Sequence, residues 1–385
     1  MDSLDAFARA KLAALDQASL RRSLSETTQL EGPWVERDGR RMLSFCCNDY
    51  LNLTTHPTVV QAALEATRRF GVGAGGSRLV TGNHPLYAAL EDRLARLKGT
   101  EAACVFGSGY LANAGIIPAL VGRHDLLLVD ELAHACIWTG ARLAGGSVLS
   151  FRHNDAAHAA QMLAGARPHH EHALILTDSV FSMDGDLAPL PALAALAEQH
   201  DAWLMTDDAH GIGVLGGGRG AVHAGDQPAR VPLQMGTLSK AIGAYGGYLC
   251  ASRPVIELIR TRARTFIYAT GLPPGTVAAA IAALDLIAAQ PDYAALPVRK
   301  ARLFTSLVGL PEAVSPIVPV IIGAAPAALA ASRLLAESGF LVSAIRPPTV
   351  PAGTSRLRFT FTAQHSDDAI TRLAALVRAE IMVAA

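Results

Sequence analysis

One stretch of this sequence delivers the residue types that organic catalysis needs. From residue 203 to 248 it reads WLMTDDAHGIGVLGGGRGAVHAGDQPARVPLQMGTLSKAIGAYGGY. Asp207, Asp208 and His210 follow the apolar run 203–206, and Lys240 follows a second apolar run, 231–235, and Gly236-Thr237-Leu238-Ser239. Short apolar runs stopped by turn residues read as buried strands. In open α/β sheets ligands sit outside the carboxyl ends of the strands, so an acid pair, a histidine and a lysine are expected at neighbouring strand ends. That set suits pyridoxal phosphate (PLP), whose aldehyde is taken by a lysine amine and whose ring nitrogen is paired with a carboxylate. A metal centre is disfavoured, because no histidine, aspartate and glutamate set with ligand spacing accompanies the aspartates. The polar cluster His169-His170-Glu171-His172 follows a proline and reads as a solvated loop.

The elements that must position these residues are legible as a rhythm. Apolar, strand-like runs fall at 102–106, 126–129, 147–151, 173–177, 202–206, 231–235 and 247–251, with helical patterns between most of them. Seven such strands predict an α/β fold with a mostly parallel sheet covered by helices on both faces. Gly107-Ser108-Gly109-Tyr110-Leu111-Ala112-Asn113 follows the first of them and opens a helix. Free N–H groups at a helix N-terminus hold anions, which makes this turn the natural seat of the cofactor phosphate. Thr237 and Ser239 are placed to donate from the other side. A glycine-rich segment, 71–78, is a second, weaker anion candidate.

Around this core the expected organisation is an N-terminal arm over 1–55, a large domain over 56–290 and a smaller α+β domain over 291–385. The last of these has fewer strands, near 317–321, 341–343 and 356–361. Helices are expected from Pro57 to about Phe70 and from Pro85 to Lys98, the second closed by Gly99.

Composition narrows the class. The 385 residues are 51% hydrophobic and 17% charged, with 33 basic and 33 acidic side chains. A balanced charge without basic runs argues against nucleic acid and anionic membrane as partners. The five scattered cysteines form no CxxC pair, which points to reduced thiols in a cytoplasmic setting. No apolar run reaches membrane-spanning length; the segment 317–331 is broken by Pro319, Gly323 and Pro326 and reads as a strand followed by a helix.

Taken together, the segments Asn48-Asp49-Tyr50-Leu51, Gly75-Gly76-Ser77-Arg78, Gly107 to Asn113, Phe181-Ser182-Met183-Asp184-Gly185-Asp186, Asp207-Asp208-Ala209-His210-Gly211 and Thr237 to Lys240 resemble the α-oxoamine synthases. These are a branch of the fold-type I PLP enzymes, and the likeness runs over nearly the whole chain. The resemblance implies a site in which Lys240 anchors PLP and acts as base. In it Asp207 meets the ring nitrogen, His210 bonds the phenolic oxygen and His134 stacks on the ring. Gly109, Tyr110, Ser182 and Thr237 match further cofactor positions. Asn48 and Arg358 match residues that hold an amino-acid carboxylate, a task that suits the two-pronged guanidinium. The segment 344–358, AIRPPTVPAGTSRLR, is most similar to members that join L-alanine to a pimeloyl thioester in biotin synthesis, with Arg21 and Thr349 matching acyl-substrate contacts. Glycine-using members are the alternative. A homodimer with sites at the subunit interface is implied by the same resemblance.

Overall fold

The computed structural model describes residues 2–382. Strands β1 (Thr27–Gln29), β2 (Trp34–Arg37) and β3 (Arg40–Ser44) come first. Seven more follow: β4 (Ala102–Phe106), β5 (Leu126–Asp130), β6 (Ser147–Phe151), β7 (Ala173–Asp178), β8 (Trp203–Asp207), β9 (Leu233–Thr237) and β10 (Gly247–Ala251). The last four are β11 (Ile317–Gly323), β12 (Phe340–Leu341), β13 (Ser343–Ile345) and β14 (Ser355–Thr360). The helices that matter below are α1 (Asp2–Gln17), α2 (Pro57–Phe70), α3 (Leu86–Lys98), α4 (Gly109–Leu120) and α5 (Ala135–Ala144).

Two compact units emerge. The larger spans 48–182 and 186–298; the other gathers the residues up to 47, 183–185, and those from 299 onward. In the larger unit β4 to β10 form one seven-stranded sheet in the order β4-β10-β9-β8-β7-β5-β6. Strands β5 to β9 run parallel to one another, and β10 is antiparallel to both of its neighbours, β4 and β9. This is the mostly parallel sheet that the strand rhythm predicts, in the fold-type I arrangement that the resemblance implies.

The sheet is buried on both faces, and strand alternation assigns each side chain to one of them. Leu127, Val129, Leu174, Leu176 and Met205 pack with Ile116 and Ile117 of α4. Leu126, Leu128, Ile175 and Leu204 pack on the other face with Leu163, Leu190 and Leu193. Fully burying a leucine or isoleucine contributes about 1.5–3 kcal/mol, so the two layers hold the sheet edge rigidly. Helix α3 ends at Gly99, whose φ of +67° suits a left-handed cap that side chains disfavour.

In the other unit β11, β14 and β13 pair antiparallel, and β12 joins the sheet of β1, β2 and β3. Phe304, Phe359, Phe361 and Phe45 fill its core with aromatic contacts. No single helix among the described residues is long and apolar enough to cross a membrane.

Candidate active site

A cavity of about 230 Å³ opens at the carboxyl ends of five strands of the large sheet. The turn after β4 supplies Ser108, Gly109 and Tyr110, and the one after β5 supplies His134 and Cys136. Asp178 ends β7, Asp207 ends β8 with His210 just beyond, and Thr237, Ser239 and Lys240 close the wall after β9. The sequence places the acid pair and histidine at one strand end and the lysine at a neighbouring one; β8 and β9 are adjacent, and both ends open on this cavity.

The two neighbouring aspartates part company because β8 alternates. Asp207 has the parity of Met205, whose face packs against α4, and its carboxylate accepts from Asn113 Nδ2 of α4 at 2.8 Å and from the Ala209 N–H at 3.0 Å. Asp208 turns away from the cavity. It accepts from Lys98 Nζ at 2.6 Å, from Ser179 Oγ at 2.6 Å and from the Ala221 N–H at 3.1 Å, and both charged side chains of the pair are fully buried. The chain leaves room for that carboxylate: a Cβ on Gly211 or Gly220 would lie 2.1 or 1.8 Å from its oxygens. Asp208 is therefore committed to the fold, and Asp207 faces the cavity.

Lys240 Nζ stands 2.9 Å from His210 Nε2, and His210 Nδ1 stands 2.6 Å from the hydroxyl of the fully buried Tyr50. Tyr50 in turn reaches Asn48 Oδ1 at 3.3 Å. A continuous line of proton-bearing groups thus runs from the lysine amine inward to Asn48. Sequence reading quoted Tyr50 only as part of a motif; its contact with His210, 160 positions away, was not legible.

Asp178 is a further cavity residue that the sequence did not single out. It lies opposite Asp207 in the β7–β8 register. Burial, reinforced by the Asp207 charge, raises its pKa well above the carboxylate range. His134 is the N-cap of α5. Its ring Nδ1 accepts from the Cys136 N–H at 3.3 Å, and burial, opposed by the Asp207 charge, lowers its pKa.

The phosphate seat also has its local cause. Ser108 caps α4 by accepting from the Leu111 N–H at 3.2 Å. Gly109 lies so close to the opposite wall that a Cβ there would sit 3.3 Å from Thr237 Cβ. Thr237 Oγ1 lies 2.8 Å from Ser239 Oγ and donates to the Gly246 carbonyl at 2.8 Å. The half-exposed Tyr110 has its hydroxyl 2.9 Å from Thr139 Oγ1. In the other anion candidate, Arg78 is drawn into an ion pair with Glu91 and lies 3.8 Å over the Tyr87 ring, so its guanidinium serves the scaffold.

Not every expected residue lines this cavity. Ser182 and Asn48 belong to the same unit but not to its walls. Arg21, Thr349 and Arg358 belong to the other unit. Arg21 is exposed and pairs with Asp16 at 2.8 Å, while Thr349 accepts from Arg22 Nη2 at 2.9 Å. Arg358 is buried on β14 opposite Pro319 and Ser343. No group of three metal-ligating side chains assembles among the described residues, and His172 of the polar cluster stacks on Trp203.

The donor set fits PLP. A primary amine, a carboxylate facing it across the floor, a capped helix N-terminus with a glycine at its first position, and two hydroxyls surround one cavity. Lys240 would take the aldehyde, Asp207 the ring nitrogen, and the turn 108–110 with Thr237 and Ser239 the phosphate.

Comparison with known proteins agrees. The family model described as "Aminotransferase class I and II" matches residues 40–377. An 8-amino-7-oxononanoate synthase of Granulibacter bethesdensis is 64% identical over 98% of this chain and 98% of its own. Serine palmitoyltransferase from S. paucimobilis, solved with a bound PLP–myriocin adduct, superposes with a TM-score of 0.91 at 28% identity, covering 97% of this chain and 96% of its own. The 8-amino-7-oxononanoate synthase of Francisella tularensis gives 0.75 at 25% identity, over 89% and 98%. A PLP-dependent enzyme of fold type I, this chain belongs to the class I and II aminotransferase family and, within it, to the 8-amino-7-oxononanoate synthases.

Proposed function

We propose that this enzyme condenses L-alanine with a pimeloyl thioester, releasing CO₂ and the thiol carrier and leaving 8-amino-7-oxononanoate, a step of biotin synthesis in the cytoplasm. The observation that carries the reading is the convergence of Lys240, His210, Asp207 and His134 on one cavity, in a chain whose full-length relatives bear that product's name. When bound, PLP supplies an electron-withdrawing ring conjugated to the amino acid's nitrogen, which makes the α-carbon acidic.

The chain's own residues then do the following. Lys240 holds the cofactor at rest. Once displaced by alanine, its amine removes the α-proton, with His210 at 2.9 Å to stabilise and relay charge. Asp207 keeps the ring nitrogen protonated. His134, in the cavity wall, would stack on the cofactor ring. Arg358 and Asn48 are the candidates for the alanine carboxylate, and Arg21 and Thr349 for the acyl chain. The exposed Val72, Val80 and Tyr268, 83, 78 and 74% accessible, are apolar surface that a second copy of the chain would cover in a homodimer.

The test is a thiol-release assay that crosses L-alanine, glycine and L-serine with pimeloyl, succinyl, acetyl and palmitoyl thioesters, each product identified by mass. Alanine with the pimeloyl donor is expected to dominate. Faster turnover with glycine or serine would overturn the substrate assignment.

A further inference from the structure

Beneath the cavity lies a set of contacts that none of the roles above uses. Asn113, on the second turn of α4, is fully buried. Its Nδ2 donates to Asp207 Oδ2 at 2.8 Å and to Cys136 Sγ at 3.0 Å. Its Oδ1 has no hydrogen-bond partner. The orphan carbonyl is a cost, set against the donor that the same amide aims at the buried Asp207 carboxylate. The amide orientation is unambiguous, because turning it over would set the carbonyl against a carboxylate.

Cys136 continues the line. Its sulfur lies 2.8 Å from His134 Nδ1 and 4.0 Å from Asp207 Oδ2, so the imidazole is the nearer acceptor for the thiol proton. Burial, followed by the Asp207 charge, pushes the thiol up to about 12, which keeps that proton in place. The Cys136 N–H points at the same Nδ1, at 3.3 Å. Two donors on one ring nitrogen require it to be unprotonated, so His134 carries its proton on Nε2.

We propose that Asn113, behind the cavity, and Cys136, in its wall, form a brace: Asn113 clamps the Asp207 carboxylate, and Cys136 holds His134 in its Nε2–H form. Both are positioning residues, acting through Asp207 and His134 rather than on substrate. The proposal rests on the reading of this cavity as the PLP site. Its logic is that of ligands held by their outer contacts: the group that meets the cofactor is aimed by one that does not. One amide joins the two sides of the ring site, so the carboxylate and the stacking imidazole are set together.

The experiment uses the full chain labelled with ¹⁵N-histidine, with PLP and after its removal, with the His134 ring signals assigned by their loss in His134→Gln. The titratable groups around that residue, Asp207, Asp178 and Lys240, are unchanged in every variant. In the wild type Nδ1 is expected to be unprotonated. Cys136→Ala removes the thiol donor that favours the neutral ring, so the His134 titration should move up by roughly half a pH unit, the size of one modest hydrogen bond. Cys136→Ser, which keeps a donor, should restore it. Asn113→Ala should weaken PLP binding roughly 10–100-fold by fluorescence titration, with thermal unfolding recorded in parallel. A wild-type ring protonated on Nδ1, or a Cys136→Ala titration identical to wild type, overturns the brace, whether or not Asn113→Ala folds. Failure of the wild type to take up PLP sinks the cavity reading instead, and the ring titration of the cofactor-free chain still reports on the brace.

Discussion

Two histidines, one in each compact unit, are held in opposite ways. In the larger unit His153 sits between two carboxylates, Asp130 at 3.1 Å and Asp186 at 2.8 Å. Burial works against its charge, yet the Asp130 and Asp186 hydrogen bonds outweigh it and raise the ring to about 10. In the other unit His365 is stacked on Phe45 with centroids 3.9 Å apart, accepts from the Thr362 N–H at 2.9 Å and lies 3.0 Å from the Ser44 carbonyl. Burial pushes it down to about 3. One ring thus keeps its charge by pairing with carboxylates, and the other lies against an aromatic ring with no carboxylate beside it. The difference is one of partners: two carboxylates outweigh burial at His153, and none offsets it at His365.

That contrast is breakable, beginning with the site itself. Lys240→Ala should fold but lose the visible band of bound PLP, and turnover should fall by roughly 10²–10⁴-fold from loss of the base alone. A variant that keeps both band and turnover overturns the lysine assignment. Next comes the scaffold pair. Lys98→Met leaves Asp208 buried without its cation and is expected to cost about 3–5 kcal/mol in denaturant unfolding. The double variant Lys98→Met with Asp208→Asn should recover part of that loss; no recovery would mean that packing, not charge, is at stake.

The histidines set opposite pH limits. His365 has a folded pKa below the unfolded value of about 6.5, so the unfolded chain binds more protons between the two. Its stabilising contribution is complete above about 6.5 and drains as pH falls toward 3. The pKa of His153 is raised, so its contribution is complete below about 6.5 and is lost as pH rises through about 10. Each slope is at most about 1.4 kcal/mol per pH unit. Denaturant unfolding across pH 4–10 should show His365→Gln flattening only the acid limb and His153→Gln only the alkaline one. The smallest effect is expected at the cap of α4: Ser108→Ala should cost about 1 kcal/mol and lower PLP affinity modestly, read by melting with and without cofactor.

Much of the scaffold was legible because local rules carry it. Each of the seven large-sheet strands falls within two residues of its expected place, since a parallel sheet covered on both faces demands continuous apolar runs. Helices α2 and α3 end where Phe70 and Lys98 meet glycines that side chains would strain. The small strands were harder. The exposed β1 has no apolar pattern to mark it, and β12 is two residues long and joins the sheet of β3 from some 300 residues away.

At the site, residue type and spacing identified Lys240, His210 and the aspartate pair, because strand ends are where a doubly covered sheet exposes chemistry. The parts that Cys136 and Asp178 play in the cavity wall, and Tyr50 and Asn113 behind it, were not legible. A buried tyrosine, asparagine or cysteine looks like core, and its meaning comes from a partner tens to hundreds of positions away.

The sequence by itself determined the class of fold, the family and the cofactor, since these rest on period, strand-end residue types and motif order. The tertiary structure decided which side of β8 each aspartate serves. Adjacent residues on a strand point to opposite faces, and Lys98, Ser179 and two glycines claim one of those faces for Asp208. What remains open to the cofactor is Asp207, held from below by an amide on another helix.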